Sequence, residues 1–299
     1  MLTDGARRRT RRRGRVVGIA ALLPFAGGWS DARAEGSPLG AWRPSISIGA
    51  LVQAQDAKGK AVNTFAARPA FDPNVSGNPA VVVPAIPVGV QLDAPTLHVR
   101  GRALRPFAHA RLQFPMDPDR TIARQGSLPK PVVLPVDPSD SLTADALSGQ
   151  GTLFIATLDL TAQAGIGLST ELPLPDLPVR LGVSLDYLAQ RISFDGLVVR
   201  VEGAGPGDTE PFTERRLREL DQAVFHHLGP RFELETEIGR RGPIDITVFL
   251  DFGAFFAVGD RSKSFRATDG PDSADFDFRI KPWLIQAGAG LRLAFVGLE

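Results

Sequence analysis

Residues 231–238 read RFELETEI, with Arg231, Glu233, Glu235 and Glu237 on one parity and Phe232, Leu234 and Ile238 on the other. Successive side chains of a strand point to opposite faces, so the octet reads as a strand with one charged and one apolar face. Four uses of the carboxylates compete: a catalytic set, a metal cage, a solvated face, or the lining of a barrel. A cage fits poorly. Oxygens at i, i+2 and i+4 of one strand lie on a line about 13 Å long, whereas calcium binds oxygens at about 2.3–2.6 Å.

The same period recurs on both sides of this octet. Ile46, Ile48, Ala50, Val52 and Ala54 alternate with Ser45, Ser47, Gly49, Gln53 and Gln55, and Ile86, Val88, Val90, Leu92 and Ala94 alternate with Pro87, Gly89, Gln91 and Asp93. A third segment sets Ala108, Ala110, Leu112 and Phe114 against His109, Arg111 and Gln113. From Gly151 to Leu172, the set from Phe154 through Leu158 to Leu168 is expected on one face, with Thr157, Asp159, Thr161, Gln163, Gly165, Gly167 and Ser169 on the other. Val179 to Tyr187 form a fifth segment, whose pattern slips near Gln190 and revives through Val201; a bulge is expected there. The opening octet belongs to a sixth (223–239), turned back by Arg240-Arg241-Gly242-Pro243. Ile244 to Phe256 and Trp283 to Phe295 complete eight, all within one domain.

Connections after the first, third, fifth and seventh segments are long (57–84, 116–150, 202–222 and 260–275), and the others are short. Strict alternation puts every long loop at one end of the sheet, the plan of an outer-membrane barrel. The proline-rich LPKPVVLPVDP within 116–150 reads as extended, and TERRLRELDQAVF (213–225) reads as helical.

The chain has 299 residues, 43% of them apolar and 22% charged, enough to fill one large β domain. Its formal charge of +1 hides an asymmetry, because residues 1–34 hold eight arginines and two aspartates; the remainder carries a net charge of −5. Those 34 residues have the form of a cleaved secretory signal: an arginine-rich start, a short apolar run from Val16 to Phe25, and Ala32-Arg33-Ala34 as a small-x-small site. The domain is then 35–299. No cysteine is present, which excludes disulfides, thiolate chemistry and cysteine-bound zinc. A closed barrel needs no such staple, because its hydrogen-bonded ladder has no free edge.

Alternation alone does not say which face points inward, so a soluble lipocalin-like barrel is the competitor. Three features favour a polar lumen and an apolar exterior. Only five lysines are present, four of them (Lys58, Lys60, Lys130, Lys263) in expected loops. The polar faces are rich in glycine, as a crowded lumen requires. Trp283 and Phe295 stand 12 steps apart, about 30 Å vertically at ~3.3 Å per step and ~40° tilt, the spacing of two aromatic girdles.

With these residues in view, the chain resembles the eight-stranded outer-membrane β-barrels of Gram-negative bacteria over about residues 43–296. In that class the last strand ends in an aromatic residue preceded by alternate apolar ones, matched here by Leu291, Leu293 and Phe295; the extension Val296-Gly297-Leu298-Glu299 departs from the pattern. GPRFELETEIGRRGPI and WLIQAGAGLRL are similar to stretches of proteobacterial outer-membrane proteins of no assigned activity. The resemblance implies an all-β, single eight-stranded antiparallel up-and-down transmembrane barrel in the outer membrane. It also implies outer-membrane lipids, periplasmic chaperones and the outer-membrane assembly machinery as partners.

A polar lumen would gather Arg111, Arg180, Arg231, Glu233, Glu235, Glu237, Asp245, Asp251 and Arg292, with Asp93, Asp159 and Asp186 adding acid. Buried carboxylates are costly unless paired, and arginine is the expected partner. An eight-stranded barrel is filled by its own side chains, so a structural or surface-interaction protein is the leading reading. A narrow porin-like path for ions or small solutes is the alternative. A lipid-modifying enzyme is the third, resting on His109 (inward) and His226 (outward), although no spacing singles out a nucleophile and base. DGPDSADFD (269–277) offers acid for calcium but misses the EF-hand pattern and reads as a solvated loop. GAGPG (203–207) is a turn, an acidic domain without basic-aromatic patches argues against nucleic acid, and no metal or cofactor is called for.

Overall fold

The computed structural model describes residues 42–64, 74–99, 102–125, 149–174, 178–203 and 212–295. The expected leader, the LPKPVVLPVDP segment and Val296–Glu299 lie outside these. Eight long strands carry the fold: β1 (Arg43–Thr64), β3 (Ala80–Asp93), β5 (Arg102–Pro115), β7 (Gly149–Glu171), β8 (Val179–Gly203), β9 (Phe212–Arg241), β10 (Ile244–Val258) and β12 (Asp272–Phe295). Each pairs antiparallel with the next in the order β1-β3-β5-β7-β8-β9-β10-β12, and β12 pairs back onto β1 from Ser45↔Ala294 to Thr64↔Ser273. The ring is closed. Four short strands decorate it: β2 (Asn74–Gly77), β4 (Leu97–Val99), β6 (Asp119–Gln125) and β11 (Ser262–Asp269).

The end where β1 starts and β12 finishes is called lower here. Its connections are short: β4 (Leu97–Val99) lies between β3 and β5, Leu172 N–H bonds the Val179 carbonyl at 2.8 Å, and Gly242, with φ of 59°, makes the tight turn between β9 and β10. A positive φ at that corner suits glycine, which has no Cβ to clash.

Eight strands were legible in the sequence, but their length was not. Segments expected as long loops are largely strand: 57–64 continues β1, 262–275 form most of the β11–β12 hairpin, and 213–225 belong to β9. The helix expected over 213–225 is a strand in continuous register with β8, from Thr213↔Glu202 to Phe225↔Gln190. Its inward Leu217 is buried and its outward Arg218 is bonded to Asp195 of β8, so a neighbouring strand satisfies the backbone that a helix would satisfy within itself. Lys58, Lys60 and Lys263 likewise sit on strands.

The bulge expected near Gln190 is on the facing strand instead. The β7–β8 register shifts between Leu158 and Leu160, which makes Asp159 the extra residue. One added residue exchanges the faces of a strand. Below it Thr161, Gln163 and Ser169 are buried; above it Phe154, Ala156 and Leu158 are. The run from Phe154 to Leu168 therefore does not keep to one face, and Asp159 points out of the barrel.

Candidate functional site: a filled lumen between two exchanged faces

Below the level of Asp159, the inward face is polar and the outward face apolar. Asp251 and Arg231 face each other two residues from register on β10 and β9, and Arg231 bonds both Glu233 and Asp251, the latter at 3.0 Å. Arg292 of β12 donates from Nη1 to Glu233 at 2.7 Å and to Glu235 at 2.8 Å, and from Nη2 to Glu233 at 2.8 Å. Its guanidinium also lies 5.1 Å from the centre of the Phe249 ring. Arg180 bonds Glu235 and Asp93, the latter at 3.0 Å, while Arg111 bonds Asp251, Gln163 and Gln286. Asp245, fully buried, takes Arg43 and Arg240 at the lower rim. Glu237 differs from its neighbours: it is exposed at the rim, beside the irregularity where the β9–β10 register shifts around Ile238.

His109 Nε2 lies 3.0 Å from Asp186, which also accepts from Gln163, and this pair joins the ion network to an amide layer. There Gln113 and Gln286 exchange a bond of 3.0 Å, and Gln190 and Gln286 both reach Gln53. Sequence reading named the charges but not this glutamine layer; five glutamines on inward parity of five strands were the available signal. Glycines make room for the crowd. A Cβ at Gly165 would stand 2.0 Å from Asp186 Oδ1 and 2.8 Å from His109 Nε2.

Above the amides the lumen turns to hydrocarbon. Leu188, Phe255 and Leu284 form one layer, followed by a larger cluster with Phe154, Phe194, Phe225, Phe276 and Phe278 at its centre. Phe194 and Phe278 lie 4.8 Å apart between ring centres, and Phe265 stacks on Phe276 at 5.1 Å. Packed spaces of about 10 Å³ beside Arg111, Arg231 and Arg292 and about 40 Å³ at the base of the apolar cluster are left. A hollow of about 120 Å³ opens at the lower mouth, around Arg105, Arg180, Glu235 and Glu237.

The outer surface changes in the opposite sense at the same height. Exposed Ile46, Ile48, Val90, Ile166, Leu185, Phe232, Leu250 and Leu291 belong to a belt shared by all eight long strands. At its top, Trp283 meets Phe256 edge to face at 5.3 Å, and Tyr187 stacks on His226 with its hydroxyl 2.5 Å from Nδ1. Phe295, at the lower end of the same strand as Trp283, is half-buried. Directly above the belt, ion pairs enter the outward face: Lys281 bonds Asp56 at 2.6 Å, Arg191 bonds Asp159 at 3.1 Å, and Arg218 and Arg266 bond Asp195 and Asp275. The hydrogen bonds that Arg218 and Arg266 donate to those last two aspartates hold the pKa of both guanidiniums above its usual value.

The acids of 269–277 are dispersed. Asp272 is buried and bonded to Arg215, whereas Asp275 and Asp277 point outward to Arg266 and Ser264. Among the described residues no group of histidines and carboxylates is arranged to hold a metal.

A closed eight-stranded antiparallel ring with a polar interior under an apolar belt defines the class: a small β-barrel built on the outer-membrane plan. Solved structures similar to it include the outer membrane protease OmpT from Escherichia coli (10% identity, 85% of this chain and 96% of that one, TM-score 0.30). They also include Ail, the attachment invasion locus protein of Yersinia pestis. In complex with the heparin analogue sucrose octasulfate, it matches at 10% identity over 84% of this chain and 98% of that one, TM-score 0.23. A second Ail structure matches at 11% identity over 84% and 97%, TM-score 0.18. No protein-family model and no curated protein matches the sequence. None of these likenesses lends this chain an activity.

Proposed function

We propose that this chain is a Gram-negative outer-membrane barrel of structural or surface-interaction type. Its lower half spans the bilayer with a closed lumen, and its upper half stands above the membrane as a rigid, apolar-cored stalk. One observation carries the reading: at the height of Asp56, Asp159 and Lys281 the outward face passes from apolar to ionic while the inward face passes from polar to apolar. A water-soluble barrel has no use for a belt of exposed isoleucine, valine, leucine and phenylalanine around its whole girth, since soluble surfaces seldom expose patches above a few hundred Å². A bilayer solvates such a belt, and water solvates the ionic zone above it. Export with a cleaved leader, delivery by periplasmic chaperones and insertion by the assembly machinery belong to this proposal.

The filled lumen favours a scaffold over a channel. Arginine–carboxylate pairs, an amide layer and a phenylalanine plug follow one another along the axis. A lipid-modifying reaction is less favoured, because His109 is committed to Asp186 inside the network and His226 to Tyr187 on the surface.

Planar-bilayer recording tests the closed lumen. The native chain and Glu235→Gln are both expected to give no current above the bare membrane; sustained, protein-dependent conductance would overturn it. Membrane fractionation and heat-modifiable gel mobility test the location, and recovery of the mature chain as a soluble periplasmic monomer would sink it.

A further inference from the structure

Just above the belt, β2, β1, β12 and β11 lie side by side and present two horizontal rows to the outside. Lys60 stands between Ser76 and Asp277, with Ser264 beyond; one step lower, Lys58 stands opposite Arg279, with Ser262 beyond. These residues line a groove of about 590 Å³ whose floor is the sheet backbone at Gly59, Gly77 and Phe278. Residues directly opposite on neighbouring strands have Cβ atoms about 4.5–5.5 Å apart, and like charges so placed repel. Lys58 and Arg279 are such a pair, and both are exposed.

Three neighbouring cations are neutralised. Lys281 has Asp56, Arg266 has Asp275 and Lys263 has Asp221. Among the described residues no carboxylate is within ion-pair distance of Lys58, Lys60 or Arg279, and the one acid in the groove, Asp277, accepts from Ser264 at 2.5 Å. The groove therefore carries three cations against one anion, with hydroxyl donors beside them.

We propose that this groove binds the phosphate of an outer-leaflet lipid headgroup. The anion would bridge Lys58 and Arg279 and convert their repulsion into two charge-assisted hydrogen bonds, with the guanidinium supplying a fork and the ammonium a point charge. The position selects the source. Arg279 is four residues above Trp283 on the same strand, with the β12 irregularity opposite Gln55 and Ala57 between them, so it stands less than about 13 Å along the strand at ~3.3 Å per residue. A phosphate held there keeps its acyl chains against the apolar belt below. The proposal rests on the membrane reading of the belt.

The test uses the mature chain folded in dodecyl maltoside micelles and reads its thermal unfolding midpoint. Dodecyl phosphate is expected to raise the midpoint by on the order of 5 °C at saturation, and the combined Lys58→Gln and Arg279→Gln variant to abolish the rise. Lys281→Gln, which removes a paired cation, is expected to keep it. An undiminished rise in the double variant overturns the site. On the native chain alone, an equal rise from dodecyltrimethylammonium overturns the anion preference, and an equal rise from inorganic phosphate overturns the lipid headgroup as its source. Flotation with phosphatidylcholine vesicles separates the two readings. Insertion without any response to dodecyl phosphate overturns the headgroup site and leaves the membrane barrel standing, whereas failure to insert overturns the membrane reading itself.

Discussion

Arg292 grips Glu233 with both guanidinium nitrogens, Nη1 to Oε1 at 2.7 Å and Nη2 to Oε2 at 2.8 Å, and both side chains are about 95% shielded from solvent. Bidentate geometry is the strong form of the pair, and burial raises the cost of breaking it. Arg292→Met leaves Glu233 and Glu235 short of a cation and is expected to cost about 3–5 kcal/mol. Adding Glu233→Gln to that variant should recover part of the loss. Urea unfolding of the folded barrel in detergent measures both, and a loss below about 1 kcal/mol would mean that the pair is solvated.

Two glycines of the same lumen should respond in opposite ways. At Gly165 a Cβ would be driven into Asp186 and His109, whereas at Gly182 the nearest atoms are 3.6 Å away. Gly165→Ala is expected to destabilise the barrel by roughly 1–3 kcal/mol, and Gly182→Ala to be tolerated. The fraction of heat-modifiable folded protein reports the difference; equal behaviour would mean that the amide layer has slack.

Phe276 lies 5.6 Å from Phe154 and 5.1 Å from Phe265 between ring centres, and it is fully buried in the upper barrel. Phe276→Ala is expected to cost about 3–5 kcal/mol and to open the upper half to protease while the belted half remains inserted. Cleavage unchanged from the native chain would contradict a separately packed stalk.

Deleting Asp159 should do more damage than replacing it. Without the extra residue the upper part of β7 would turn over, exposing Phe154, Ala156 and Leu158 and burying Thr157. The deletion is expected to abolish folding into the heat-modifiable form, whereas Asp159→Asn, which keeps the bulge and loses only surface ion pairing, should fold.

The eight strands were legible because the lower half obeys one simple rule, oily outside and polar inside, that alternation reveals directly. Much of the upper half was read as loop because the rule inverts there. In β1 the inward residues become Ala57, Gly59 and Ala61 while the outward ones become Asp56, Lys58 and Lys60, a pattern that looks like turn chemistry when a lipid-facing strand is sought. The helix expected at 213–225 failed for a related reason. Leu217 and Leu220 are three residues apart, a helical spacing, yet one points into the barrel and the other out of it. For the lumen network the sequence supplied parity but not height. Glu237 shares the parity of Glu233 and Glu235, and only the rim geometry explains its exposure. Asp159 was misassigned because a single-residue bulge leaves no mark in composition.

The absence of cysteine makes the exchange of faces at one height directly measurable. Spin labels on single cysteines placed at Val52, Ile285, Lys60 and Arg279, in the chain inserted into vesicles, can be ranked by collision with oxygen and with a water-soluble nickel chelate. Oxygen should dominate at Val52 and Ile285 and nickel at Lys60 and Arg279, with the crossover between Trp283 and Lys281. Nickel dominance at all four positions would contradict a membrane-spanning lower half.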